Sequence, residues 1–244
     1  MDRRFHFNKA KGLFITGTDT GVGKTLITGG IAHLLTRQGM RVGVFKPVAT
    51  GCRTEMNDWV SEDAEFLAMC AGTHEPRTVT VPVCYEIPAA PLVSARAEKR
   101  PIDFEQIAAM YNYLCRNYDV ILVEGIGGAL VPLDEETSVL DMAAAMGLPT
   151  VVVARSRLGT INHTLLTLRA VRDAGLPLAG VVINGYCAAT ADLAEETAPK
   201  VIAEIGKTAI LAVIGKDDES SVEELRLGKM VLAGLSECDW KSLL

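Results

Sequence analysis

Seven aliphatic runs of strand length, separated by stretches with helical spacing, constrain this chain more than any other feature. They are 12–17 (GLFITG), 41–46, 78–84, 119–125 (DVILVEG), 149–155 (PTVVVAR), 178–184 (LAGVVIN) and 209–214. Over 24–38 the residues Ile27, Ile31, Leu34 and Leu35 share one helical face, and helices are also expected over 61–70, 103–117, 138–146, 160–174, 192–205 and 222–235. Parallel strands need crossover helices, and strands covered on both faces read as near-continuous Val, Ile and Leu. The alternation predicts the α/β class, with a doubly wound, mostly parallel sheet of about seven strands and helices on both faces. No stretch rich in Gly, Ser or Pro divides the chain, so residues 1–244 are expected to form a single domain.

Composition narrows the function. Hydrophobic residues reach 49% while aromatics are only 5%, and mean hydropathy is +0.23. No apolar run approaches the roughly 18 residues of a membrane span, which excludes a membrane protein of helical type. A net charge of −6 with no cluster of Lys and Arg argues against a nucleic-acid partner. The opening MDRRFHFNKAKG lacks the apolar region of a secretion signal, so a cytoplasmic location is expected. Six cysteines and four histidines form no CxxC, HxxH or HxxxH, which argues against a zinc site or a disulfide framework.

In doubly wound sheets ligands sit outside the carboxyl ends of the strands. The first run leads directly into GTDTGVGKT, residues 17–25, and then into a helix. Glycines in such a loop let backbone N–H groups, here those around Gly21, Val22 and Gly23, point at phosphate oxygens. Lys24 would reach the β and γ groups and the Thr25 hydroxyl would bind Mg²⁺. The spacing is unusual, because the position six before Lys24 is Thr18 and the glycine stands at Gly17. The strand–loop–helix setting and the helix dipole still predict a P-loop NTPase-like nucleotide site with Mg²⁺. A hard divalent ion wants further oxygens. Glu124 closes DVILVE and is the stronger candidate, while Asp63, at a helix start, reads on spacing alone as readily as a dipole or capping residue.

Four motifs in order, GTDTGVGKT, KPVATG (46–51), VEGIGG (123–128) and LGTINH (158–163), resemble the dethiobiotin synthetase family. The resemblance runs from about residue 13 to residue 184. It implies an ATP-dependent reaction in which CO2, carried as a carbamate on 7,8-diaminopelargonate, attacks the γ-phosphate before the second amine closes a cyclic urea. Lys46 corresponds to the catalytic lysine beside Lys24; without the motif it would read as a solvated lysine at a strand end. Thr25, Asp63 and Glu124 match Mg²⁺ positions, with Glu124, Gly125, Ile126 and Gly127 also against the nucleotide. Thr50 stands where a serine hydroxyl usually meets the carbamate, and it keeps that hydroxyl.

Leu158, Gly159, Thr160, Ile161 and Asn162 match the segment that holds the substrate's carboxylate in the neighbouring subunit's site, so a homodimer with shared sites is implied. Asn162 alone would read as a helix N-terminal residue. Asn184, with Gly185, matches the adenine contact, although a turn residue ending a strand reads the same way. Two positions depart from the family pattern. Gly21 stands where some members carry Glu, and AVIGKDD has Gly215 in place of a proline, which bears on adenine contacts from Gly215, Lys216 and Asp217.

Two other readings share the phosphate loop. A regulatory ATPase switch of the partitioning type carries an extra lysine early in its loop, where this chain has Asp19. The synthetase half of a cobyrinate amidotransferase needs a glutaminase domain, for which 244 residues leave no room.

Overall fold

The computed structural model describes residues 6–56 and 58–244, so the first five residues of the amino-terminal stretch considered above lie outside the described residues. The chain runs β1 (Gly12–Gly17), α1 (Lys24–Arg37), β2 (Val42–Phe45), β3 (Val48–Thr50), β4 (Arg53–Glu55), β5 (Asp58–Val60), α2 (Glu62–Ala71), α3 (Arg77–Thr80), β6 (Val83–Tyr85) and α4 (Pro91–Ala97). It continues α5 (Phe104–Asn117), β7 (Val120–Glu124), α6 (Val139–Met146), β8 (Thr150–Arg155), α7 (Thr160–Asp173), β9 (Leu178–Tyr186), α8 (Leu193–Gly206), β10 (Ile210–Gly215) and α9 (Lys229–Leu235), ending in a short 3-10 turn over Trp240–Leu243.

The main sheet has six strands in the order β10-β9-β8-β1-β7-β2, and every pairing is parallel. Along each inner strand the side chains alternate between two cores, as a period of two demands. Leu13, Ile15, Val120, Leu122, Val151 and Val153 pack with Ile27, Ile31, Phe66 and Leu235 of α1, α2 and α9. Phe14, Ile121, Val123, Val152 and Ala154 pack on the other side with Ile107, Tyr111, Leu140, Leu168 and Ile202 of α5 to α8. Each buried Val, Leu, Ile or Phe among them contributes about 1.5–3 kcal/mol. The two layers make the strands rigid and leave their carboxyl ends to carry loops. Because β2 and β7 lie on one side of β1 and β8 on the other, the loop after β1 sits where the winding changes direction.

Two expectations need correction. The sheet has six strands because the run over 78–84 is broken by Pro82: its first half is the helical turn α3, and β6 pairs in parallel with β3 in a separate two-stranded sheet. Pro47 removes a ladder donor directly after β2, so β3 leaves the main sheet there. The helix expected over 222–235 is only α9. Ser221 and Arg226 pair as an isolated bridge, and Leu225 adopts a positive φ of 52°. The carboxylate of Asp217 then takes up the position a β-carbon on Gly228 would need, 2.1 Å away, and accepts from the Val231 N–H at 3.2 Å. A further helix, α4, stands between β6 and α5, and Pro91 opens it from its first turn. Among the described residues no helix is long and apolar enough to cross a membrane.

Candidate active site

The loop after β1 is wound tightly enough that side chains are excluded at several points. Gly21 and Gly23 have φ values of 73° and 94°, a region that only glycine enters without strain. A β-carbon on Gly23 would lie 2.1 Å from Asn184 Nδ2, and that amide donates to Val22 O at 3.0 Å. The end of β9 therefore braces the loop. Gly23 opens α1 with no side-chain cap, so the first-turn N–H groups of the helix are left for an anion. Lys24 is buried, and its ammonium donates to Asp19 O at 3.0 Å. Burial pushes Lys24 below its ordinary pKa, while the charge of Glu124 works the other way.

Below the loop, four sequence-selected side chains meet. Lys46, the residue after β2, is fixed through its own N–H to Thr80 O at 2.8 Å. Its ammonium donates to Glu124 Oε1 at 2.6 Å and to Asp63 Oδ2, and the Thr25 hydroxyl donates to the same Glu124 oxygen at 2.9 Å. Asp63 is placed by the first turn of α2, whose entry is capped by Ser61 Oγ accepting from the Ala64 N–H at 3.5 Å. Burial works to lower the pKa of Lys46, but Glu124 and Asp63 outweigh it and hold the ammonium well above the usual lysine range. Burial tends to raise Asp63, and the neighbouring Lys46 charge overrides it, holding the carboxyl below its usual value.

These shifts set a pH window for stability. Asp63's contribution is complete above its unfolded pKa of about 4 and is lost as pH falls through the lower folded value. That of Lys46 is complete below about 10.4 and is lost as pH rises through its higher folded value. The cluster's contribution to Tm is expected to be constant from about pH 5.5 to 9. Melting curves should show a steeper acid loss in the unaltered chain than in Asp63→Asn; identical acid limbs would contradict the pairing.

Glu124 is fully buried, yet its Oε2 has no hydrogen-bond partner among the described residues. A buried carboxylate oxygen without a partner is costly and calls for a cation. The donor set suits Mg²⁺: two carboxylates and a hydroxyl beside a phosphate loop are what a hard ion shares with nucleotide phosphates. Among the described residues no cluster of three or more His, Cys, Asp or Glu stands ready for another metal.

The remaining candidates fall into groups. The 125–127 loop follows Glu124 and leans on the phosphate loop; a β-carbon on Gly127 (φ 61°) would stand 2.8 Å from Val131 and 3.5 Å from Thr20 Oγ1. Thr50 ends β3, half-buried beside Tyr85 in the register of the small sheet. Gly185 follows Asn184 with φ 79°, and its carbonyl accepts from Ser156 Oγ at 3.0 Å. Lys216 pairs with Asp218 at 2.8 Å and its N–H donates to Tyr186 O at 2.7 Å, while Asp217 caps the entry to α9. The segment 158–162 lies at the surface opening α7: Leu158 is 83% exposed and Asn162 is exposed, with Gly159 (φ 93°) at the N-cap and Thr160 buried.

The sequence reading did not single out one contact. Arg155, at the end of β8, pairs through its Nη2 with Asp19 Oδ2 in the phosphate loop. The signal available was its place at the carboxyl end of a central strand.

The sequence pattern of a family described as an AAA domain (AAA_26) matches residues 11–224. The ATP-dependent dethiobiotin synthetase BioD of Thermodesulfovibrio yellowstonii is 39% identical over 210 residues, covering 83% of this chain and 88% of that protein. BioD of Bacillus subtilis strain 168 is 37% identical, covering 84% and 87%. Among solved structures, the MinC:MinD cell division complex of Aquifex aeolicus aligns with a TM-score of 0.61 at 15% identity, covering 93% of both chains. The septum site-determining protein MinD of Pyrococcus horikoshii aligns at 0.56 and 17%, again covering 93% of both. At such identities these last two show the fold alone, that of the P-loop ATPases. The two synthetases align over most of their own length and most of this one, and on that ground the chain belongs to the dethiobiotin synthetase family.

Proposed function

We propose that this protein is an ATP- and Mg²⁺-dependent cyclo-ligase of biotin biosynthesis, with residues 1–244 acting as one domain. It closes the ureido ring of dethiobiotin from 7,8-diaminopelargonate and CO2. The observation that carries the reading is the Lys46 ammonium, buried at the end of β2 between Asp63 and Glu124 beneath the phosphate loop. The partitioning-type switch carries its extra lysine inside the phosphate loop, where this chain has Asp19, whereas the second lysine here stands at the end of β2.

The chemistry brings two anions together. A carbamate oxygen of the substrate attacks the γ-phosphorus and ADP leaves, giving a carbamic–phosphoric anhydride. The second amine then attacks the carbonyl carbon, phosphate departs and the ring closes. Lys24 and the N–H groups of Gly21, Val22 and Gly23 bind the phosphates. Lys46 stays charged at every working pH, so it acts as a fixed positive charge on the transferring group and not as a base. Thr25, Asp63 and Glu124 would hold Mg²⁺, which when bound neutralises phosphate charge.

Thr50 orients the carbamate by its hydroxyl. Asn184 spends one Nδ2 hydrogen on the loop, which leaves its Oδ1 and the other Nδ2 hydrogen for the base, with Gly185 and the backbone of 215–217 alongside. Residues 158–162 receive the substrate's carboxylate across a homodimer interface. The exposure of Leu130 (70%), Leu158 (83%) and Leu166 (60%) supports such an interface.

The test is direct. Purified protein given Mg²⁺, ATP and bicarbonate should release ADP only when diaminopelargonate is added, with dethiobiotin detected by mass spectrometry. ADP release indifferent to diaminopelargonate would favour the switch, and no release at all would remove the proposal.

A further inference from the structure

The phosphate loop carries a negative charge of its own. Asp19 lies five residues before Lys24, and a carboxylate there opposes the polyanion the loop is built to hold. The structure shows how that charge is managed. Asp19 Oδ1 accepts from the Thr20 N–H at 2.7 Å, Oδ2 takes the Arg155 guanidinium, and the backbone carbonyl of the same residue accepts from Lys24 Nζ at 3.0 Å. One residue thus bears both the cation from β8 and the seat of the phosphate-binding lysine. The Thr18 N–H donates to Val153 O at 2.9 Å, so the first half of the loop is tied to β8 at two successive points. Arg155 Nε is buried and has no partner among the described residues, which leaves this guanidinium with an unmet donor beside the loop.

We infer that Arg155 is a positioning residue for nucleotide binding, neutralising Asp19 and fixing the carbonyl on which Lys24 rests. The inference deepens the function proposed above and rests on the loop's taking ATP. Arg155 stands outside the Lys46 cluster, so its work falls on binding and not on the chemical step. An exposed ion pair contributes little to folding, and the variants below are expected to fold.

A double-mutant cycle separates electrostatic positioning from packing. Titrated with Mg²⁺-ATP at low ionic strength, Arg155→Met should bind about tenfold more weakly, with KM for ATP rising in parallel and kcat within about twofold. Arg155→Lys should recover most of the loss. Asp19→Asn combined with Arg155→Met should return affinity to within about threefold of the unaltered protein, because the charge to be neutralised is gone. Arg155→Met binding as the unaltered protein does would overturn the inference, and so would a double variant as weak as the single one. If the unaltered protein binds ATP and these variants do not differ, only the role of Arg155 fails. If the unaltered protein binds no ATP, the proposed function fails and this inference with it.

Discussion

Lys46→Ala is expected to lower turnover by about a thousandfold or more while leaving Mg²⁺-ATP affinity within a few-fold. Removing one preorganised donor from a developing oxyanion costs about 3–4 kcal/mol in comparable sites, and Lys46 brings a full charge in a buried position. Affinity is expected to survive because the phosphates are held by Lys24 and the start of α1, on a different element. The substitution also leaves the Glu124 and Asp63 carboxylates without their ammonium. Breaking a buried pair from one side costs about 3–5 kcal/mol, a figure to be discounted here because Asp63 is partly exposed. The metal-free variant should therefore melt earlier, and Mg²⁺ with ADP should recover more stability in it than in the unaltered chain. Rapid-quench turnover, nucleotide titration and melting curves on one preparation separate these effects. Turnover within tenfold of the unaltered enzyme, or loss of nucleotide binding in step with activity, would be incompatible with the assigned role.

The second large effect is expected at Glu124. Glu124→Gln keeps the shape and removes the charge, and should raise the half-saturating Mg²⁺ concentration at least tenfold with turnover falling about a hundredfold or more. The reason lies in burial: Glu124 is fully enclosed and has one oxygen spare, whereas the Asp63 side chain is 38% exposed. Water can replace part of what Asp63 offers and little of what Glu124 offers. Asp63→Asn should accordingly show the smaller change in Mg²⁺ dependence, measured by titrating ADP binding against Mg²⁺. A reversed order, with Asp63→Asn the more damaged, would mean the metal is held from the open side of the cluster.

Much of this architecture was legible in the residues because buried parallel strands advertise themselves. The runs that became β1, β7, β8 and β9 are aliphatic on both faces, and the helices between them carry one apolar stripe. Legibility failed where chain direction depends on a single residue. Pro47 and Pro82 divert β3 and β6 into their own sheet, and an aliphatic run cannot announce which sheet it will join. The stretch 222–235 has apolar residues at helical intervals, but Asp217, eleven residues before Gly228, decides where the helix begins.

The site shows the same division. The glycine pattern and the end of a strand pointed to Lys24 and Glu124, and the family resemblance to Lys46, one at a time. That one ammonium would bridge carboxylates 17 and 78 residues away is a fact of topology, since β2 and β7 are neighbours and α2 opens beside them. The pairing of Asp19 with Arg155 was hidden for the same reason, 136 residues separating its members.

The brace between Asn184 and the loop bears on how portable the phosphate motif is. Residues 17–25 look self-contained on paper, a cassette of glycines, lysine and threonine. Yet the space that forbids any side chain at position 23 is filled by the Asn184 amide, from the far end of β9. Transplanted to another strand and helix, the nine residues would keep their flexibility and lose the template that gives it a shape. The unit of inheritance at this site is the loop together with the end of β9.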